Sequence, residues 1–208
     1  MPDIVLATLN AKYIHASFGL RYLMANLGEL RDRACMAEFI INQQPLEIVE
    51  AILLHEPRIV GFGVYIWNVE QTTEVVALLK RIRPELIIIL GGPEVSYETE
   101  GQSIVALADH VITGEADVKF AQVCREILSG DSHPQKIIPA ELPAVNNLAS
   151  PYDLYTDDDL KNRVIYVEAS RGCPFTCEFC LSSLDIPVRA FNTGAFLASM
   201  QRLLDRGV

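Results

Sequence analysis

Apolar runs and amphipathic stretches alternate along most of the chain. The first run, 3–8, is short and apolar, as a buried strand requires, and the stretch 18–30 predicts a helix. One face of that helix carries Leu20, Leu23, Met24, Leu27 and Leu30. The same unit then repeats. Further strands are predicted at 35–41, 58–64, 86–90 and 108–113, and further helices at 45–55, 69–83 and 117–129.

This alternation predicts an α/β fold, a doubly wound, flavodoxin-like parallel sheet over residues 1–130. Five strands separated by helices favour right-handed crossovers and the strand order 2-1-3-4-5. The run 86–90 is continuously apolar, which is expected of a strand covered on both faces. Four prolines and lost periodicity indicate a linker at 131–162, which leaves 163–208 as a second segment. The acidic run 157–159 is interpreted as solvated surface.

The loops after the strands are the candidate site, because ligands of such sheets bind outside the carboxyl ends of the strands. These loops are 10–17, 65–68, 91–96 and 113–117. Their glycines permit close backbone approach to a ligand, and Tyr65 and Trp67 offer flat apolar area. Each loop alone also has an ordinary interpretation, since Gly-Gly-Pro after a strand is most often a turn.

Three cysteines, Cys173, Cys177 and Cys180, lie within eight residues. Thiols at i, i+4 and i+7 of one loop can turn toward one point, and thiolates are the soft ligands that iron–sulfur clusters take. Structural zinc is the alternative, but it normally has a fourth Cys or His, and none is close in sequence. Cys35 and Cys124 lie in apolar surroundings, where a buried inert thiol is the default. Five cysteines, an odd number, without a signal peptide argue against a disulfide framework.

Composition limits the classes of function. The 208 residues, 50% of them hydrophobic, can bury a full core and leave room for part of a second domain. The longest apolar run is far shorter than the ~20 residues of a membrane-spanning helix, so no membrane partner is expected. The formal charge of −10 argues against a nucleic-acid partner. The chain is expected to be cytoplasmic.

The run from Arg171 to Cys180, Arg-Gly-Cys-Pro-Phe-Thr-Cys-Glu-Phe-Cys, resembles the signature of the radical S-adenosylmethionine (SAM) enzymes. The apolar stretch 164–172 resembles that family's first barrel strand, and 193–207 its first helix. The resemblance implies a 4Fe-4S cluster on the three cysteines, S-adenosylmethionine on the open iron, and a cofactor contact by Phe179. It also implies an electron donor such as flavodoxin or ferredoxin. Because the later barrel strands are missing, the chain is interpreted as a truncated fragment that should not turn over alone.

The order of the two parts resembles the cobalamin-binding class of these enzymes, which includes the magnesium-protoporphyrin IX monomethyl ester oxidative cyclase type. The resemblance covers essentially the whole chain. It implies a cobalamin corrin across the carboxyl edge of the sheet and a nucleotide tail descending between strands and helices. It implies radical methyl transfer or oxidative ring closure by the parent enzyme. The residues it assigns to cobalamin are Tyr65, Trp67, Asn68, Gly91, Gly92, Pro93, Glu94, Ser96, Gly114 and Glu115.

His15 departs from the cobalt-binding motif of many cobalamin domains, Asp-x-His-x-x-Gly, because Tyr13 replaces the Asp and Gly19 comes one residue late. A loop histidine near a helix cap or facing solvent is the favoured interpretation, and no catalytic residue is assigned. Two other functions stay open. One is a non-catalytic cobalamin-binding or sensor module with structural cysteines. The other is a receiver or nucleotide domain, which would need an acidic pocket with a lysine or a Gly-x-Gly-x-x-Gly fingerprint that this sequence lacks.

Overall fold

A six-stranded parallel sheet forms the centre of the molecule. The computed structural model describes residues 1–131, 135–180 and 187–208. The strands are β1 (Ile4–Asn10), β2 (Ala34–Ile40), β3 (Ile59–Gly63), β4 (Ile87–Gly91), β5 (His110–Thr113) and β6 (Ile137–Pro139). Their order in the sheet is β2-β1-β3-β4-β5-β6, which confirms the order predicted for the first five.

Helices cover both faces of this sheet. They are α1 (Phe18–Ala25), α2 (Pro45–Leu53), α3 (Val69–Ile82), α4 (Ser103–Leu107) and α5 (Lys119–Ser129). Two further helices, α6 (Asp157–Asn162) and α7 (Thr193–Asp205), pack in a separate apolar cluster. Short 3-10 helices lie at Gly28–Arg33, Pro93–Val95, Val145–Asn147 and Tyr152–Leu154. Within the described residues, no helix is both long and apolar enough to cross a bilayer.

Two hydrophobic clusters, one on each face, explain why β1 is buried along its whole length. Successive side chains of a strand point to opposite faces. Val5 and Leu9 therefore pack with α2, α3 and α4, whereas Ile4 and Leu6 pack with α1 and α5. Burial on both faces is what the continuous apolar runs in the sequence require.

Several segments differ from the sequence-based predictions, among them helix α4 (Ser103–Leu107), which was not predicted. The first helix ends at Ala25, and Gly28, at φ +59°, turns the chain into a separate 3-10 helix, because a left-handed backbone conformation ends an α-helix. The proposed linker contains a strand: β6 pairs with β5 through Ile112 and Ile138. This strand was not predicted, because an edge strand needs only one buried face and three residues show no periodicity.

The chain after β6, residues 140–208, is called the C-terminal segment, and its described residues pack on the α/β domain. Tyr152, Tyr155 and Leu203 form a third apolar cluster with Ala16 of the loop after β1. The stretch proposed as a first barrel strand contributes one parallel bridge, His15 to Val164, and a two-residue strand, β7 (Ser170–Arg171), that pairs antiparallel with β8 (Arg189–Ala190). The helix expected near the end of the chain is present as α7.

Candidate functional site

A cavity of about 530 Å³ opens at the carboxyl edge of the sheet, between the strands and helices α1 and α5. One part of its wall is apolar and consists of Leu20, Leu23, Ile89, Ile112 and Phe120. Another part is bare backbone, at Gly61, Gly63, Gly91, Gly92 and Gly114. A third part of the wall carries charge, from Glu115, Asp117, Glu168 and Arg171. A slot of this shape can accept a flat apolar group and hold polar groups at its mouth.

Glycine is required at two positions of this wall. Gly92 has φ +113°, and a Cβ there would lie 2.4 Å from the carbonyl oxygen of Val64. A Cβ on Gly61 would lie 2.8 Å from the ring of Phe120. At both positions a neighbour within the protein, the backbone of Val64 or the ring of Phe120, occupies the place of a Cβ, so a side chain there would displace part of the cavity wall.

Ser96 joins two of the loops. Its hydroxyl donates to the carbonyl oxygen of Gly92 at 2.8 Å and accepts from the backbone N–H of Gly114 at 3.2 Å. The Gly-Gly-Pro loop after β4 is thus tied to the Gly-Glu loop after β5, although Ser96 does not line the cavity. Glu94 likewise lies outside the lining, and its backbone N–H is 3.4 Å from the carbonyl oxygen of Val64.

A second cavity, of about 450 Å³, adjoins the first and shares Phe18, Gly19 and Tyr65 with it. The rings of Tyr65 and Trp67 stack with centroids 4.6 Å apart and an interplanar angle of 7°. Trp67 is 48% exposed, so the stacked pair presents a flat apolar surface at the mouth.

Asn68 is close in sequence to this pair but faces the interior. It is fully buried; its Nδ2 donates to the carbonyl oxygens of Leu9 at 3.0 Å and Gly63 at 3.1 Å, and its Oδ1 accepts from the N–H of Tyr65 at 2.8 Å. Its amide therefore holds the loop after β3 in place. The structure brings six of the residues assigned to cobalamin to the larger cavity and Trp67 to the smaller one: Tyr65, Gly91, Gly92, Pro93, Gly114 and Glu115 line the larger.

Glu115 and Asp117 pair with arginines of the C-terminal segment. Arg171 donates to Glu115 at 2.9 Å and to both oxygens of Asp117 at 2.8 and 3.0 Å, and Arg189 also pairs with Glu115. Burial by itself would raise the pKa of Glu115, but the two guanidinium groups outweigh it and lower that pKa. Sequence reasoning missed Asp117, Glu168 and Arg171 as site residues. The only signal for them was opposite charge at loops far apart in the chain.

The three cysteines lie just after β7, in a segment that we call the cysteine loop (residues 172–180). Cys173 and Cys180 are partly exposed and Cys177 is exposed, and a turn joins the N–H of Cys180 to the carbonyl oxygen of Cys177 at 3.1 Å. All five cysteines lie in the described residues and none forms a disulfide. Phe179 is 93% exposed.

The cysteine loop offers thiols, which are the ligands that iron–sulfur clusters take. Among the described residues, no three Cys, His, Asp or Glu side chains are placed to hold one metal ion. The donor set, three thiols without disulfides on one exposed loop, suits the cluster.

A buried ion network holds the loop after β1. Arg21, 2% exposed, donates to Glu38 at 2.7 Å and to Asp159 at 2.8 Å, and Arg163 donates to the same two carboxylates at 3.0 and 2.9 Å. Arg163 also donates to the carbonyl oxygen of His15 at 2.6 Å. The interpretation of 157–159 as solvated surface is therefore wrong for Asp159, which is 4% exposed because it faces two arginines.

His15 lines the smaller cavity rather than facing only solvent. Its Nδ1 shares a hydrogen bond with the hydroxyl of Tyr166 at 2.6 Å. Tyr166 comes from the C-terminal segment and lines the same cavity. Both parts of the chain thus build this wall.

Replacing Asp159 with Asn is expected to lower the free energy of unfolding by roughly 3 kcal/mol at pH 7, because it removes one of the two carboxylates that balance two buried arginines. Burial would raise the pKa of Asp159, but the N–H of Thr156 and the arginines lower it to about 2 from 3.8. The wild type should therefore lose this contribution as pH falls from about 4 toward 2, and the variant should not.

Urea denaturation followed by circular dichroism at pH 7 and pH 3 measures both effects. Asp157→Asn is the matched control, because Asp157 lies in the same helical turn and is 83% exposed in its pair with Arg206, so less than about 1 kcal/mol should change. Equal losses in the two variants would contradict the assigned network.

The model of the B12 binding domain family matches residues 4–124, more than half of the chain. The chain belongs to this family. Among curated proteins, the B12-binding chain is 25% identical over 192 residues to an uncharacterised methyltransferase of Pyrococcus horikoshii, covering 82% of this chain and 41% of the relative. It is 26% identical over 155 residues to the cobalamin-dependent radical SAM methyltransferase TokK of Streptomyces tokunonensis, covering 60% and 22%. The chain spans less than half the length of these relatives.

Two solved structures share the fold of this B12-binding chain. TsrM, a radical S-adenosylmethionine methyltransferase of Kitasatospora setae solved with tryptophan and a SAM analogue, matches with a TM-score of 0.67 at 13% identity, covering 99% of this chain and 46% of that one. The cobalamin-dependent S-adenosylmethionine radical enzyme OxsB matches with a TM-score of 0.68 at 14% identity, covering 100% and 32%. At these identities the likeness shows the fold.

Proposed function

We propose that the chain binds cobalamin at the carboxyl edge of its sheet and carries the cluster loop of a cobalamin-dependent radical SAM methyltransferase. The observation that carries this proposal is the cavity of about 530 Å³ beside the Gly91-Gly92 backbone, within a B12 binding domain and next to a loop with three thiols. The curated relatives are named as methyltransferases, which favours methyl transfer over oxidative ring closure. The proposal includes a small-molecule substrate that receives the methyl group and an electron donor, such as flavodoxin or ferredoxin, that reduces the cluster.

The larger cavity suits the nucleotide tail of cobalamin. Ligand cavities typically have volumes of about 300–1,000 Å³ and mostly apolar walls, and this one combines Leu20, Ile112 and Phe120 with bare glycine backbone. The corrin itself would lie over the carboxyl edge, where Tyr65 and Trp67 offer a stacked aromatic surface that excludes water.

Each group of residues has a part in this function. Gly91 lets the cofactor approach the backbone, and Ser96 keeps the two glycine loops together. Cys173, Cys177 and Cys180 would hold a 4Fe-4S cluster, with Phe179 beside it and one iron open for S-adenosylmethionine. When bound, cobalamin supplies a carrier for the methyl group, and the cluster supplies the electron that cleaves S-adenosylmethionine. The protein orients and shields both.

Anaerobic reconstitution with iron, sulfide and hydroxocobalamin tests the proposal. We expect the bound protein to show corrin absorption bands and an EPR signal of a reduced cluster. Cobinamide, which lacks the nucleotide tail, should bind at least about tenfold more weakly than hydroxocobalamin, because it has no tail to fill the cavity. Corrin bands without a cluster signal would favour the non-catalytic cobalamin module instead. The absence of both signals would refute the proposal.

Replacing Gly91 with Leu is expected to raise the Kd for hydroxocobalamin at least about tenfold. A Cβ at Gly91 meets nothing closer than the carbonyl oxygen of Ile112 at 3.7 Å, so the backbone accepts the change while the longer side chain enters the cavity. Spectrophotometric titration measures the Kd. Ala106→Leu adds a similar volume on an exposed position outside the lining and should leave the Kd unchanged. An unchanged Kd in Gly91→Leu would place the tail elsewhere.

A further inference from the structure

The base of the cysteine loop is attached to the α/β domain at two points. Strands β7 and β8 lie on either side of segment 172–188, and Arg171 pairs in register with Arg189. Both of these arginines reach Glu115, in the loop between β5 and α5. The chain entering the segment and the chain leaving it are therefore anchored to the same carboxylate.

Arg171 is the more deeply held of the two arginines, with a side chain 13% exposed. Its guanidinium donates to both oxygens of Asp117 at 2.8 and 3.0 Å and to Glu168 at 2.9 and 3.0 Å. It also lies 4.5 Å from the ring centroid of Tyr22. A guanidinium with bidentate and stacking contacts has one defined position, and two residues later the chain reaches Cys173.

The same residues form the wall of the larger cavity. Glu115 and Asp117 line it from the α/β domain, and Glu168, Arg171 and Gly172 line it from the C-terminal segment. A ligand in this cavity thus contacts the residues that anchor the cysteine loop. Any stabilisation of the wall by the ligand also stabilises the position of the loop.

We propose that Arg171 is a positioning residue that couples the larger cavity to the cysteine loop, so that cobalamin and the cluster each strengthen the binding of the other. The inference rests on the proposed function and goes beyond it, because two cofactors could bind the same chain independently. Coupling between two sites is reciprocal, so one affinity ratio describes it in both directions.

The experiment compares the Kd for hydroxocobalamin in the 208-residue chain with and without a reconstituted cluster, under anaerobic conditions. We expect the Kd to be at least about fivefold lower when the cluster is present. In Arg171→Gln this ratio should approach one, while circular dichroism shows an unchanged fold. Arg171→Lys keeps the charge but loses the bidentate and stacking contacts, so it should retain only part of the ratio.

Arg202→Gln is the control, because Arg202 lies in the same C-terminal segment but is half exposed and only 3.4 Å from Asp153. The ratio of Kd values in this variant should match that of the wild type. If Arg171→Gln fails to fold, Arg189→Gln and Arg171→Lys decide the question, and a full ratio in both overturns the inference. A wild-type ratio of one also overturns it and leaves the proposed function standing. A wild type that binds neither cofactor refutes the proposed function itself.

Discussion

Replacing Cys177 with Ala should abolish the absorption and EPR signals of the reconstituted cluster. Two thiolates remain in the loop, and they cannot hold a cluster for which this segment offers three. Because Cys177 is exposed, the substitution should leave the unfolding transition of the protein unchanged. Iron and sulfide analysis after anaerobic reconstitution, together with EPR of the reduced sample, measures the loss.

Cys35→Ala is the matched control. Cys35 lies in β2, packed against the apolar cluster on one face of the sheet, and burial raises the pKa of its thiol. It should retain the full cluster signal. The Cys177→Ala variant should still bind hydroxocobalamin, with the affinity of the cluster-free wild type. A cluster signal that survives in Cys177→Ala, or one lost equally in Cys35→Ala, would contradict the assignment of the three ligands.

Replacing Gly92 with Ala should lower the free energy of unfolding by about 4 kcal/mol or more and abolish hydroxocobalamin binding. The residue has φ +113°, which is unfavourable for any side chain, and its Cβ would lie 2.4 Å from the carbonyl oxygen and 3.0 Å from the nitrogen of Val64. Val64 cannot move away easily, because its N–H donates to the carbonyl oxygen of Gly91 at 2.8 Å. The loop must therefore rearrange.

Gly101→Ala separates the cost of the left-handed backbone conformation from the cost of the steric clash with Val64. Gly101 has φ +83° and no atom within 4 Å of a Cβ, so only the left-handed conformation is penalised, by about 1–2 kcal/mol. Urea denaturation of both variants gives the free energies, and absorbance titration gives the Kd for hydroxocobalamin. A Gly92→Ala protein as stable as Gly101→Ala, with normal corrin binding, would show that the close approach to Val64 is not needed.

Much of the α/β domain could be predicted because its information is local. The apolar runs of β1, β3 and β4 are buried on both faces, and the amphipathic stretches between them impose crossovers of one hand, which limits the strand order. The end of α1 and strand β6 were missed. Both depend on weak signals, one glycine in a left-handed conformation and three residues at an edge of the sheet.

The residues of the candidate site could likewise be predicted only where the signal is local. The loops with Gly91, Gly92 and Gly114 could be found from the sequence, because glycine after a strand marks close backbone approach. The role of Asn68 could not, since a loop asparagine can face a ligand or, as here, bond Leu9 and Gly63 inside the fold. That choice depends on how neighbouring loops pack.

The sequence by itself determined the layered α/β architecture, the glycine loops at its carboxyl edge and the presence of three closely spaced thiols. Only the tertiary structure decided which charges meet. Arg171 pairs with Asp117 across 54 positions, and Arg21 pairs with Asp159 across 138. Periodicity and local spacing report the environment of a residue through its near neighbours. Ion pairs between distant segments form only when packing removes both partners from water and brings them together, so a single sequence carries no local trace of them.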